Sequence, residues 1–159
     1  MKMYRIKMVV CVSLLALGVI TGCGSEDHNE VHMVNGDIRE TTASTDILPT
    51  FLDDKQTTVE TIYAEVAQHK DLLEHIPCYC GCGESAGHTS SYDCFINAED
   101  NNGITWDDHG AKCGVCMDIA AQSISWLNEG QSVKEIRERI DEAYKEGYGT
   151  PTPTPIPEV

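Results

Sequence analysis

The chain has 159 residues, enough for one modest domain, and its 26 acidic against 11 basic residues give a formal net charge of −15. That balance excludes nucleic acid as a partner and argues against binding to an anionic lipid surface. It carries eight cysteines, and six of them fall between Cys78 and Cys116.

The first residues read as an export leader. Lys2, Arg5 and Lys7 give a basic start, and Met8 to Ile20 is an apolar run broken by Ser13 and Gly18. The run is short for a permanent membrane span. It ends in Ile20-Thr21-Gly22-Cys23, a small-residue site of the kind that bacterial lipoprotein processing uses. Removal of residues 1–22 leaves Cys23 first in the chain, ready to carry lipid, and takes Cys11 away with the leader. The chain is then expected on the outer face of the bacterial cytoplasmic membrane, held there by its lipid. The alternative is an ordinary secretory cut nearby, with Cys23 left as a free thiol.

After the lipidated Cys23, residues up to 57 are polar and acidic, and they lack an apolar period. They read as a flexible tether, in which His28, His32 and Met33 are incidental. A domain is expected over residues 58–149. Val59, Ile62, Tyr63, Val66, Leu73 and Ile76 recur at helical spacing, and Pro77 stops that helix. Residues 78–91, rich in Gly and Ser, are expected to be irregular. Ser91 can cap a short turn holding Tyr92 to Ala98, Glu99 to Gly103 reads as a turn, and Ile104-Thr105-Trp106 as a brief extended piece.

A second helix is expected from Asp107 or Asp108 to about Asn128, closed by Glu129-Gly130. Ser132 and Glu135 form a capping box for a third, with Val133, Ile136, Ile140 and Tyr144 as its apolar stripe. Gly147 and Gly149 end it, and the Thr-Pro repeats of residues 150–159 make an extended, polyproline-like tail. The expected fold class is therefore mainly α: a small bundle of about three helices with a Cys-rich irregular loop, a flexible N-terminal tether and a Pro-rich tail.

Function is concentrated in the cysteine window. Cys78, Cys80 and Cys82 alternate, so in an extended segment their three sulfurs face one way. Cys94 follows a loop that contains His88. Cys113 and Cys116 share one helical face with Ala120, Ile124 and Leu127, with His109 one turn before Cys113 and Met117 one turn after it. Three chemistries compete. Three disulfides suit an exported chain, but C-x-C neighbours make strained rings with each other. A redox pair at C-x-x-C leaves the other thiols without a task. Metal binding uses all six thiols, with His88, His109 and Met117 as second-rank ligands. Soft sulfur donors favour Cu(I), and a set of four suits zinc. Six thiols exceed one tetrahedral site, which favours a multinuclear Cu(I)–thiolate centre over zinc.

Pro77-Cys78-Tyr79-Cys80-Gly81-Cys82-Gly83, Gly87-His88, Asp93-Cys94-Phe95, Trp106-Asp107, His109-Gly110 and Cys113-Gly114-Val115-Cys116 together resemble the bacterial PCYCGC-motif lipoproteins. The resemblance covers roughly residues 58–155 and implies an exported lipoprotein without specifying an activity. A second likeness, through Cys113-x-x-Cys116, Gly130-Gln131-Ser132 and Glu135-Ile136 to Tyr144, is to the helical thiol reductants of cytochrome c maturation. The motif here is Cys-Gly-Val-Cys, lacks their Arg-Cys-Pro opening, and is joined by four further cysteines. The expectation is a metal-binding protein that holds or passes on copper without catalytic turnover, with a copper donor or acceptor protein as partner. A thiol–disulfide reductant and a zinc- or disulfide-stabilised interaction domain are the alternatives.

Overall fold

A computed structural model describes residues 30–157, so the leader, Cys23 and His28 lie outside the described residues. The mainly α expectation is overturned by a four-stranded antiparallel sheet. Strands β1 (Val31–Val34), β2 (Asp37–Thr42), β3 (Ile96–Asp100) and β4 (Gly103–Asp107) take the order β1-β2-β4-β3. Helices follow at α1 (Thr57–Gln68), α2 (Lys70–Leu73), α3 (Gly83–Ala86), α4 (His109–Lys112), α5 (Gly114–Asn128) and α6 (Val133–Tyr144), with 3-10 turns at Thr50–Leu52 and Tyr92–Cys94. No helix among the described residues is long and apolar enough to cross a membrane.

Part of the expected tether, Val31–Val34 and Asp37–Thr42, is thus sheet. Its strand β2 hides from a hydrophobicity reading because its inward residues are Glu40 and Thr42 rather than apolar ones. Both are satisfied internally. Glu40 accepts hydrogen bonds from the Thr50 amide (2.8 Å), the Thr50 hydroxyl (2.9 Å) and the Phe51 amide (3.3 Å). Thr42 Oγ1 accepts from the Trp106 indole at 2.8 Å. A buried carboxylate with such partners folds readily, whereas the same group without them would be costly. Pairing of β2 with β4, Arg39 opposite Asp107 and Thr41 opposite Thr105, ties this segment to the cysteine window.

The helices correct the expectation in detail. The first is two pieces, because His69 leaves helical geometry at φ −120°. The second does not start at Asp107, which ends β4. A short α4 follows, and the helix is interrupted at Cys113, which is extended (φ −127°, ψ 110°) and stands at the N-cap of α5. The third is as expected: Ser132 and Glu135 close a reciprocal capping box, and Ile136, Ile140 and Tyr144 are buried. Burying each isoleucine stabilises by roughly 1.5–3 kcal/mol. Helix α5 lies at the centre, packed on α1, α2, α4 and α6, and it carries Ile119, Ala120 and Ile124 into the core.

The Thr-Pro tail also departs from a free extended end. Thr152 and Thr154 are buried, and the segment runs beside the first cysteines. The Gly149 amide donates to the Tyr79 carbonyl (2.9 Å), the Thr152 amide to the Cys78 carbonyl (3.0 Å), and the Cys78 amide to Thr152 Oγ1 (2.9 Å). This close approach demands glycine, since a Cβ on Gly149 would lie 2.4 Å from Gly81 Cα and 2.5 Å from its nitrogen. Backbone cannot yield as a side chain can. Gly149→Ala is expected to lower stability by about 1–3 kcal/mol in urea denaturation, the usual cost of overpacking. Gly114→Ala, where the new methyl meets nothing within 4 Å, should leave the midpoint unchanged or raise it.

Candidate metal centre

Four segments meet at the cysteines: the loop after Pro77, the 3-10 turn at Cys94, the β4–α4 corner and the start of α5. Gly81 has φ +80°, so the C-x-C-x-C run turns there instead of continuing extended. The three sulfurs therefore do not converge on one point. They divide between two groupings that share Cys80. The thiols of Cys78, Cys80 and Cys116 lie within 4.8 Å of one another, and so do the donor atoms of Cys80, Cys82 and His109. The Cys78 and Cys116 sulfurs are 3.4 Å apart, against about 2.05 Å for a disulfide. All six cysteines from Cys78 to Cys116 are free thiols.

Burial grades the cluster. Cys78, Cys94 and Cys116 are fully buried, while Cys80, Cys82 and Cys113 are partly exposed. Cys94 stands outside the tight triad, but its thiol interacts with those of Cys116, Cys78 and Cys80 and approaches the Ser90 carbonyl at 3.9 Å. Cys113 belongs to neither grouping, though it is near enough to Cys82 to oppose that thiol's ionisation. Met117 is partly buried against the core.

The site histidines come from two different segments: His88 from the loop after α3, and His109 from the first position of α4. His109 is held by the β4–α4 corner, which is braced from several sides. Tyr63 donates to the Asp107 carbonyl (2.8 Å) and accepts from the Ala111 amide (3.0 Å). The Asp107 carboxylate accepts from the His109 amide at 2.9 Å and from Arg39 at 2.9 Å. Gly110 lets the corner sit on the Phe95 ring, 2.5 Å from where a Cβ would be. The imidazole Nδ1 of His109 meets Asp37 Oδ2 at 3.1 Å, and its Nε2 is buried without a hydrogen-bond partner. A carboxylate on one ring nitrogen and an unfilled other nitrogen is the arrangement of a metal-ligating histidine. His88 is 3% exposed, neither of its ring nitrogens has a partner, and its ring meets that of His109 edge-on at 4.7 Å.

Asp37 was not foreseeable. It lies in the segment that reads as tether, 72 residues from its histidine, and no local pattern joins them. A third cluster, Asp37, Asp107 and Asp108, is already neutralised: Arg39 holds Asp107, Lys112 holds Asp108 (2.7 Å) and Asp37 (3.2 Å), and His109 holds Asp37.

The electrostatics follow from crowding. Thiols this close cannot all ionise, so some are favoured to take charge and others to keep protons, and contact with Cys116 lowers Cys78. Contacts with Cys116, Cys78 and Cys94 push Cys80 far below the usual thiol range, with His109 assisting. The same contacts, Cys78 first, push Cys116 far above it, and Cys94 is raised as well. The Cys80 thiolate, against opposing burial and with help from Asp37, raises His109 to about 9. Burial, followed by the nearby His109, lowers His88. Asp37 is held below the ordinary carboxylate range, because bonds to His109 and Lys112 outweigh its burial. The result is a polarised sulfur cluster, compatible with metal binding. Under native conditions without metal, the partly exposed Cys80, Cys82 and Cys113 are expected to react with iodoacetamide before the buried Cys78, Cys94 and Cys116, with Cys80 first because it most favours the thiolate, a ranking that peptide mass spectrometry reads directly.

A protein-family model described as "Protein of unknown function with PCYCGC motif" matches residues 9–157. No curated protein and no solved structure matches the chain.

Proposed function

The chain belongs to the PCYCGC-motif family, and we propose that it is a lipid-anchored extracytoplasmic protein that holds Cu(I) at Cys78, Cys80 and Cys116 for storage or transfer. The observation that carries this reading is the triad of free, converging sulfurs, two of them fully buried. In a dry interior, three thiols at such distances gain little from each other and much from a soft monovalent cation. Copper(I) fits better than zinc on two grounds. The close set is three sulfurs rather than a closed tetrahedron of four, and purely soft donors favour Cu(I). Cys94 is the reserve donor behind the triad, and zinc is the competitor that would use it. The leader pattern and Cys23 supply the anchor, and the acidic chain keeps the domain off anionic headgroups.

A thiol–disulfide role is the second reading, and one distance favours it: the 3.4 Å between Cys78 and Cys116. The redox pair would then be those two residues and not Cys113 with Cys116.

The test is elemental analysis with thiol counting on protein purified anaerobically from its own membranes. Copper bound, with thiols shielded from alkylation until a Cu(I) chelator is added, is the expected result. Zinc in place of copper would correct the metal. A metal-free protein with a Cys78–Cys116 disulfide would favour the redox role. Cys80→Ser or Cys116→Ser should weaken Cu(I) binding by more than about 100-fold, beyond the 10–100-fold typical of losing an outer-shell partner.

A further inference from the structure

We infer that a second Cu(I) position, made by Cys80, Cys82 and the Nε2 of His109, lies on the rim of the cluster and shares the Cys80 sulfur with the buried triad. The inference rests on the Cu(I) reading of the triad and extends it to stoichiometry and exchange. Cys80 is common to both groupings, and a thiolate sulfur has lone pairs enough to bridge two soft cations. Bridging also turns the sulfur crowding to advantage, since two cations neutralise more thiolates than one.

The second grouping is supported by more than proximity. The Nε2 of His109 is buried and unpartnered, while Asp37 occupies Nδ1 and so fixes which nitrogen is left free. Beside it stands His88, 3% exposed with both ring nitrogens unpartnered. His88 also lines an open groove of about 510 Å³ formed with Gly81, Gly83, Thr89 and Thr152. The two positions are therefore unequal. The inner one is all sulfur and holds two fully buried donors. The outer one mixes sulfur and nitrogen, has two half-exposed thiols and adjoins the groove. An ion at the outer position is the one that a partner's ligands reach first, and Cys80 then passes the inner ion outward by exchange of ligands, with no change in oxidation state. Asp37 acts here as a positioning residue, through His109.

The experiment is a titration of the reduced, full-length chain with Cu(I) under anaerobic conditions, in competition with a colorimetric Cu(I) chelator. Two equivalents are expected, the second at least about tenfold weaker. Cys82→Ser should remove the weaker equivalent and leave the tight one, whose retention also reports that the variant is folded. Asp37→Asn should loosen the weaker equivalent by about 10–100-fold and spare the tight one. A single equivalent in the unaltered protein, or two unchanged equivalents in Cys82→Ser, would overturn the second position while leaving the triad in place. No Cu(I) binding at all would sink both readings.

Discussion

Cys78, Cys80, Cys94 and Cys116 bring four ionisable sulfurs into one poorly solvated space, and everything else about the molecule is arranged around that crowding. Two unit charges 4 Å apart repel by about 4 kcal/mol even at an effective dielectric constant of 20. Without a cation, the four sulfurs therefore cannot all be thiolates, and Cys80 is the one whose surroundings most favour the charge. A soft cation removes the restriction, because each sulfur that loses its proton gains a bond to the metal. The same density of thiols outside a cell would otherwise invite oxidation. On the proposed extracytoplasmic location, a bound metal would keep them reduced and together.

The scaffold serves this cluster from three sides. The sheet supplies β4, whose end carries the Asp107–His109 corner, and β2, whose Asp37 orients His109. The helices supply a rigid floor: α5 brings Cys116 up from the core, and Tyr63 of α1 fixes the corner through both of its hydrogen bonds. The tail straps the remaining side, pairing its backbone with Cys78 and Tyr79. Arg137 of α6 reaches the carbonyls of both His75 and Pro155, so the third helix anchors the loop and the strap together. The elements that looked peripheral, the tether and the tail, are thus walls of the site.

What could be read from the sequence follows from which forces are local. The α6 capping box and its stripe were legible because both repeat within one helix. The cysteine window was legible because soft ligands at such density have few other uses. Strand β2 was not, since its inward residues, Glu40 and Thr42, are polar and find partners 10 and 64 residues away. The break at Cys113 was equally hidden: its neighbours keep helical spacing, while the corner before it is set by Tyr63 and Phe95 from elsewhere in the chain. The expectation that alternating cysteines face one way assumed an extended strand. A left-handed Gly81 divides them between two groupings and makes Cys80 the shared atom.

The proposed chemistry depends on one sulfur, that of Cys80, standing where two candidate ligand groupings touch. Anomalous diffraction at the copper edge from crystals of the Cu(I)-loaded protein examines that placement directly. The account predicts density bonded to the sulfurs of Cys78, Cys80 and Cys116. Copper bound elsewhere, or a Cys78–Cys116 disulfide with no copper beside Cys80, would contradict it.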